Sequence, residues 1–305
     1  MMLRVGLDIG GTTVHGIAVD VDSPQTIVTQ SLVDTQQGPD GVVESARLAL
    51  ESLRADLPDD AVVLSIGIGI PGIVDKGLVS HAVNLGVTDE ALPLAERFTA
   101  HSGGAPVTVE NDVKAAALGA SQWLRDEYGS GDDLALLNVG TGLAAGLILD
   151  GRLRHGSHGM AGEIGHLVID DKGPVCSCGK RGCLEMYASG GGIRRQWDGT
   201  ARELFAAAEL GDESAVAARN QLVAGIARAV RALVHICDVE SVVLTGGVVA
   251  STPALRGALA AFLERDEAVS GFERMAAVSH RLRWLPADYP AGAIGAALLG
   301  ASTWK

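Results

Sequence analysis

Residues 3–13 read LRVGLDIGGTT, and this stretch decides the fold. Its apolar part predicts a buried β-strand over residues 3–9, and the glycines after it predict a tight turn into a returning strand over residues 14–19. Residues 134–142, LALLNVGTG, repeat the pattern: an apolar strand with a polar residue near its end, a glycine turn, and a returning strand over residues 144–149. We therefore expect two duplicated halves that face a common cleft.

The composition is that of a globular α/β chain. With 305 residues, of which 47% are hydrophobic, the chain is long enough for one large or two ordinary domains. Glycine contributes 40 residues, about 13% where about 7% is usual. Strand patterns alternate with amphipathic helical patterns, such as the apolar residues spaced by three and four over residues 43–57, and this alternation defines the class.

Charge and hydropathy narrow the possible partners and location. The net charge of −13 argues against nucleic acid as a partner, because binding to a phosphate backbone needs a basic surface. The longest mostly apolar run, residues 134–149, is short for a bilayer and contains Asn138 and Thr141. Asp8 comes before any apolar stretch long enough for a signal peptide. We expect a cytoplasmic protein that has no membrane partner.

Three glycine turns follow predicted strands, at residues 10–13, 140–142 and 245–247. Backbone N–H groups in such turns can point together at an anion, and threonine hydroxyls beside them can contact phosphate oxygens. Asp8, just before the first turn, could orient a hydrated Mg²⁺. A single turn of this kind is more often an ordinary hairpin, but three together favour phosphate binding. The GIGIPG match at residues 67–72 lies inside a strand pattern and is no dinucleotide-binding fingerprint.

One histidine and three cysteines lie within 18 residues: His166, Cys176, Cys178 and Cys183. One imidazole and three thiolates suit a tetrahedral Zn²⁺, and a full ligand set predicts a structural site. The alternative is a group of reduced surface thiols beside an unrelated histidine. Two acidic residues flank the cluster, Glu163 and Glu185. They are candidates for binding hydroxyl groups, or else solvated surface acids.

Asn111 and Asp112 stand where a predicted strand, residues 107–109, passes into an alanine-rich helix over residues 113–123. A carboxylate at a helix N-terminus is stabilised as the anion by the exposed amides and the helix dipole. Asp112 could therefore accept a proton from a hydroxyl group. The alternative is that the pair only caps the helix.

These residues resemble the ROK family of sugar kinases and sugar-responsive repressors, which has the actin-like ATPase (ribonuclease H-like) fold. The resemblance covers nearly the whole chain and is most specific where the Glu-x-Gly-His element of residues 163–166 precedes the cysteine cluster. The matching segments are DIGGT at 8–12, GIPGIVD at 69–75, NL at 84–85, END at 110–112, GTG at 140–142, Gly156, GEIGH at 162–166, CSCGKRGCLE at 176–185 and GG at 246–247.

The resemblance implies roles for individual residues. Asp112 resembles the general base that acts on the 6-hydroxyl of a hexose, and His166 resembles a zinc ligand that also contacts the sugar. The implied sugar-binding residues are Gly72, Asn84, Asn111, Asp112, Glu163, His166 and Glu185. The implied nucleotide-binding residues are Asp8, Gly10, Gly11, Thr12, Thr13, Gly140, Thr141, Gly142, Gly246 and Gly247.

The resemblance also implies the organisation of the protein. We expect a smaller domain over residues 1–115, a larger domain over residues 116–290, and a last helix within residues 291–305 that packs back on the first domain. A homodimer is expected, as is Mg²⁺ with ATP. Departures from the family pattern, such as Lys114 after the Asn-Asp pair and Gly86 where tryptophan is usual, leave the identity of the sugar open.

The leading function is ATP-dependent phosphorylation of a hexose, with glucose as the first candidate. An N-acetylhexosamine kinase, acting on N-acetylmannosamine or N-acetylglucosamine, is the nearest alternative. A non-catalytic sugar sensor or regulator is a third, and it would lack a DNA-binding arm because the first glycine turn begins so close to residue 1. The sequence does not decide whether ATP or polyphosphate is the phosphoryl donor.

Overall fold

The computed structural model describes residues 1–88 and 90–300. The chain forms two compact units. Unit 1 comprises Met1–Asp133, Gly146–Ala161 and the described residues from Pro290 onward, and unit 2 comprises Leu134–Ala145 and Gly162–Tyr289.

The elements follow one another in the order strand, hairpin, helix, and then a second series of the same kind. Along the first part of the chain they are β1 (Met2–Ile9), β2 (Thr13–Asp20), β3 (Ile27–Asp34), α1 (Gly38–Ala55), β4 (Val62–Ile70), β5 (Ile73–Asp75), β6 (Leu78–Ser80), β7 (Leu92–Pro93), α2 (Leu94–Thr99), β8 (Val107–Asn111) and α3 (Asp112–Tyr128). Along the second part they are β9 (Leu134–Val139), β10 (Leu143–Leu149), β11 (Arg152–Leu153), α4 (Gly190–Gln196), α5 (Ala201–Glu209), α6 (Glu213–Cys237), β12 (Ser241–Thr245), α7 (Gly247–Ser251), α8 (Ala254–Val269), α9 (Gly271–Ala276), β13 (Leu282–Trp284) and α10 (Ala291–Leu298).

The sheet of unit 1 has the strand order β3-β2-β1-β4-β8. The hairpin predicted from residues 3–19 is confirmed: β1 and β2 pair antiparallel, with Leu7 opposite Gly16. β1 pairs in parallel with β4, and β4 in parallel with β8. Parallel neighbours buried on both faces need apolar side chains throughout, and Leu3, Leu7 and Ile68 are fully buried. β3 was not predicted.

A second sheet has the order β11-β10-β9-β12-β13. In both sheets a central strand has its hairpin partner on one side and a later strand, paired in parallel, on the other. The duplicated architecture predicted from the two glycine turns is therefore confirmed. A small sheet of β5, β6 and β7 follows Gly72 and was not predicted.

Helix α10 packs on α3, β1 and β4 within unit 1. Glycine permits this close approach, because a Cβ at Gly6 or Gly67 would overlap a backbone carbonyl of α10. The high glycine content thus has a packing cause besides the turns. The helix expected within residues 291–305 spans Ala291–Leu298, and residues 301–305 lie outside the described residues.

Within residues 1–88 and 90–300, no helix is both long enough and apolar enough to cross a bilayer.

Candidate active site

Asn111 ends β8 and caps α3 in unit 1. Its Oδ1 accepts hydrogen bonds from the backbone N–H groups of Val113 and Lys114, each at 3.1 Å. Its Nδ2 donates to the carbonyl of Gly72 and to Oδ1 of Asp112, each at 3.0 Å. Every polar atom of the amide therefore has a protein partner, which fixes the side chain between the end of β4 and the start of α3.

Asp112 is the first residue of α3, not its cap. Its Oδ1 also accepts a hydrogen bond of 2.9 Å from the backbone N–H of Val113. The carboxylate therefore lies at the helix N-terminus, where amides and the helix dipole stabilise negative charge. Asp112 is half-buried, so the geometry suits an acceptor for a proton from a bound hydroxyl group.

Asp8 lies near the end of β1, and its carboxyl contacts Gly292 in the first turn of α10. Burial, together with the negative charge of Asp112, raises the pKa of Asp8 to about 7. Burial disfavours the charged form of a carboxyl group, and a nearby anion disfavours it further. A divalent cation would favour the ionised form, so this carboxyl fits the expected role of orienting a hydrated Mg²⁺.

The first glycine turn lies between β1 and β2. The N–H of Gly10 donates to the carbonyl of Thr13 at 2.8 Å, and the Thr35 hydroxyl donates to the carbonyl of Gly10 at 2.8 Å. Gly11, Thr12 and Thr13 are exposed. The turn is thus fixed through its carbonyl groups while its outer residues are open to a ligand.

Gly72 and Asn84 lie near these groups in unit 1. Gly72 has a φ of +104°, and a Cβ there would lie 2.5 Å from the carbonyl oxygen of Ser80, so only glycine fits. Asn84 is exposed in a single 3-10 turn, Val83–Leu85, and a Cβ on Gly11 would lie 3.9 Å from it.

A buried polar network beside Asp112 was not predicted from the sequence. Glu110 is 8% exposed; its Oε1 accepts from the N–H of Asn111 at 2.8 Å, and its Oε2 lies 2.6 Å from Nε2 of His155. Hydrogen bonding to Glu110 raises the pKa of His155. Lys114 is 5% exposed and donates to the carbonyl of Gly159 at 2.6 Å. The segment around residues 155–159 is thus tied to the Asn111–Asp112 junction.

The four predicted metal ligands come together in unit 2. One ligand atom from each of His166, Cys176, Cys178 and Cys183 lies within 4.8 Å of the other three. The Sγ atoms of Cys178 and Cys183 are 3.5 Å apart, and Sγ of Cys176 lies 3.8 Å from Nδ1 of His166. Ligand atoms around a tetrahedral Zn²⁺ are roughly 3.3–3.8 Å apart. The donor set and its spacing therefore fit zinc.

Backbone hydrogen bonds and a glycine with positive φ shape the loop that carries the three cysteines. The N–H of Cys176 donates to the carbonyl of Lys180 at 2.8 Å, and that of Gly179 donates to the carbonyl of Cys176 at 3.0 Å. Gly182 has a φ of +68°, and a Cβ there would overlap the backbone of Asp170. Burial raises the pKa of the Cys176 thiol to about 12. A bound cation would reverse that effect, because metal ligation requires the thiolate.

The two nitrogens of His166 face different groups. Nδ1 faces Cys176, while Nε2 lies 3.9 Å from Oε2 of Glu163. Glu185 Oε1 lies 3.6 Å from Nδ1 of His166 and 2.9 Å from Sγ of Cys176. Glu163 and His166 are partly exposed. A metal on Nδ1 would thus leave Nε2 and Glu163 to bind hydroxyl groups, whereas Glu185 lies on the Nδ1 side, against Cys176.

A cavity of about 530 Å³ lies wholly within unit 2. Of the predicted nucleotide-binding residues, Gly140, Thr141 and Gly247 line it, and Gly142 and Gly246 do not. Gly246 has a φ of +99°, and a Cβ there would overlap Asn138, so it shapes the turn into α7. The remaining lining residues are Gly190, Ile193, Arg194, Asp198, Gly199, Thr200, Ala201, Val248 and Ser251.

The sequence analysis did not identify these additional lining residues. The one available signal is the run of three glycines at residues 190–192, directly after the cysteine cluster. The N–H groups of Gly190 and Gly191 donate to the carbonyls of Gly140 and Thr141 at 2.8 and 2.9 Å. The glycine run is therefore joined to the second glycine turn.

The fold and these groups define a sugar kinase of the actin-like ATPase fold. The ROK family model matches residues 4–302, so the chain belongs to the ROK family. It is 32% identical over 273 residues to the glucokinase of Halalkalibacterium halodurans, covering 80% of each chain. It is 31% identical over 307 residues to the N-acetylmannosamine kinase of Citrobacter koseri, covering 98% of each.

A solved structure shows the same fold. The structure is a ROK family glucokinase from Streptomyces griseus in complex with glucose and AMPPNP, with a TM-score of 0.74 and 29% identity. The match covers 97% of the present chain and 98% of that one. The predicted fold class, family and enzyme class are thereby confirmed.

Proposed function

We propose that this kinase transfers the γ-phosphoryl group of ATP to the 6-hydroxyl of a hexose, with glucose as the preferred acceptor. The observation that carries the proposal is the placement of Asp112. Its carboxylate lies at the N-terminus of α3, beside an Asn111 amide whose polar atoms all have protein partners. A rigid carboxylate acceptor is what removal of a hydroxyl proton requires.

In the proposed reaction the 6-hydroxyl oxygen attacks the γ-phosphorus in line. The new O–P bond forms as the bond between the γ-phosphorus and the β–γ bridging oxygen breaks, and ADP leaves. Asp112 takes the hydroxyl proton. Phosphoryl transfer asks the protein mainly to position the groups and stabilise charge. Mg²⁺ with ATP would neutralise charge on the phosphate oxygens.

The proposed sugar-binding residues form one group within each unit. In unit 1, Asn111, Gly72 and Asn84 are the proposed sugar contacts, together with Asp112. In unit 2, Glu163, His166 and Glu185 are grouped by the cysteine cluster. Carboxylates and an imidazole are suited to accept hydrogen bonds from sugar hydroxyls. The proposed Zn²⁺ on His166, Cys176, Cys178 and Cys183 is structural: it would fix this group and take no part in the chemistry.

Within unit 1, Asp8 and the first glycine turn are the proposed nucleotide contacts. Within unit 2, the proposed nucleotide site is the cavity. The Streptomyces griseus glucokinase holds AMPPNP, an analogue of ATP, and glucose. Glucose is also the substrate named for the Halalkalibacterium halodurans relative. These names support ATP as the donor and glucose as the acceptor. The same proposal includes a homodimer in the cytoplasm, which sedimentation of the purified protein and cell fractionation would test.

An N-acetylhexosamine is the second candidate acceptor, N-acetylmannosamine ahead of N-acetylglucosamine. It is favoured by the Citrobacter koseri relative, an N-acetylmannosamine kinase that matches this chain over 98% of its length. Both candidates use the same proposed base and the same donor, so they differ only in the acceptor.

The deciding experiment measures ADP formation with MgATP and each sugar in turn. The panel contains glucose, mannose, allose, N-acetylmannosamine and N-acetylglucosamine, and ³¹P–¹H correlation NMR locates the phosphoryl group on the product. We expect the highest kcat/KM for glucose, with the product phosphorylated on oxygen 6. A preference for N-acetylmannosamine would select the second candidate. Sugar-independent ADP formation, or a product phosphorylated elsewhere, would contradict both.

A further inference from the structure

Arg194 is a cationic side chain that lines the cavity of unit 2. It lies on α4, one turn after Gly190. A Cβ built on Gly190 would lie 3.8 Å from Nη1 of Arg194 and 3.1 Å from the carbonyl oxygen of Gly140. The guanidinium group and the second glycine turn therefore approach the same point of the cavity wall.

The guanidinium of Arg194 has no partner among the described residues, since no protein hydrogen bond or ion pair engages it there. Some other arginines are held by acids, for example Arg125 by Asp132 at 2.5 Å and Arg154 by Asp150 at 2.9 Å. Asp198 is the one acidic residue among those that line the cavity, and it forms no ion pair with Arg194. The cation is thus available to a ligand.

Both polar and apolar side chains line the cavity. Thr141 offers a hydroxyl and Arg194 a guanidinium, whereas Ile193, Ala201 and Val248 are apolar. A guanidinium group forms forked, charge-assisted hydrogen bonds to phosphate oxygens, and an apolar surface suits a purine ring. Arg194 approaches the second glycine turn, the part of the cavity that the proposed function assigns to phosphate oxygens.

We propose that Arg194 binds the phosphate chain of the nucleotide donor and is a determinant of nucleotide affinity in this kinase. The inference rests on the proposed function, because it takes the unit 2 cavity as the nucleotide site. Arg194 is then a binding residue in addition to the glycine turns that the family resemblance identified.

Arg195 offers a matched control. It follows Arg194 on α4, is also exposed, and does not line the cavity. Arg194→Gln and Arg195→Gln remove the same charge from adjacent positions, so any effect of net charge is common to both. Arg194 is exposed, so Arg194→Gln should fold normally, and its melting temperature checks this. An Arg194→Lys variant keeps the positive charge and tests whether binding depends on the guanidinium group.

The test is calorimetric titration of the zinc-loaded protein with MgADP and, separately, with adenosine. We expect Arg194→Gln to weaken MgADP binding by about tenfold, in the range of a charge-assisted hydrogen bond at an exposed site. Arg195→Gln should bind MgADP as the wild type does, and Arg194→Lys should be intermediate. Adenosine should bind all four proteins equally.

Three results would overturn the inference. Equal MgADP affinity of Arg194→Gln and Arg195→Gln, with the wild type binding normally, would refute the role of Arg194 and leave the proposed function intact. Equal losses for MgADP and adenosine would place Arg194 at the base and not at the phosphates. Failure of the wild-type protein to bind MgADP would refute both this inference and the proposed donor.

Discussion

Gly292→Ala is a small change that tests the role of Asp8. Gly292 lies in the first turn of α10, and a Cβ there would overlap the carboxyl group of Asp8. The nearest atoms belong to a side chain and not to the backbone, so rotation of Asp8 relieves the overlap. An ordinary van der Waals contact requires the carboxyl to move by about 1–1.5 Å.

The displacement predicts a loss of activity without a loss of stability. A misplacement of about 1 Å in a catalytic group can reduce a rate by roughly 10²-fold, so we expect kcat to fall by about 10- to 100-fold. Alanine is favoured over glycine within a helix by up to about 1 kcal/mol, which offsets the rotation of Asp8. The melting temperature should therefore change by no more than about 2 °C.

The assay is ADP formation at saturating sugar and ATP, titrated with Mg²⁺, together with thermal unfolding. Gly257→Ala is the control, because Gly257 lies within α8 and a Cβ there meets no neighbouring atom within 4 Å. It should leave kcat and Mg²⁺ dependence unchanged. Wild-type kcat and Mg²⁺ dependence in Gly292→Ala would refute the reasoning. So would a large fall in its melting temperature, since only the Asp8 side chain should have to move.

Three further outcomes are expected. Cys178→Ser, at the exposed ligand of the cluster, should lose bound zinc by mass spectrometry and weaken sugar binding by calorimetry; metal loss with unchanged sugar affinity would contradict the proposed structural role. Gly295→Ala should lower the free energy of unfolding by about 1–3 kcal/mol in urea, because its Cβ would overlap the backbone of α3, whereas Gly257→Ala should not. Glu110 raises the pKa of His155, so their pairing stabilises the fold fully below the unfolded pKa near 6.5 and less as pH rises through the folded pKa. His155→Gln should therefore lose more stability at pH 6 than at pH 9, by less than about 1 kcal/mol since His155 is half-exposed; a loss that grows with pH would contradict this.

Local sequence patterns predicted much of the fold and the candidate site. Strand β1 and its hairpin follow from an apolar run that ends in two glycines, and the cluster of candidate metal ligands follows from one histidine and three cysteines within 18 residues. Each of these features depends on residues close together in the chain. Turn chemistry and ligand spacing are local properties, so the sequence alone expresses them.

Features that depend on distant residues were not predictable in this way. Glu110 and His155 are 45 residues apart and meet only when the fold places the segment after β11 beside β8. Likewise, glycines inside β1 and β4 interrupt a strand pattern without apparent reason until α10 packs against them. Arg194 carries no motif at all, and only its place in the cavity wall distinguishes it from Arg195.

The most direct test of the account compares Asp112→Asn with the wild-type enzyme in two assays on the same preparations. Asparagine has nearly the shape of aspartate but cannot take the hydroxyl proton as a carboxylate does. We predict that Asp112→Asn lowers kcat by at least about 100-fold, the usual contribution of a general base, while calorimetry shows sugar binding within a few-fold of the wild type. Turnover near the wild-type rate, with sugar bound normally, would contradict the assignment of Asp112 as the base.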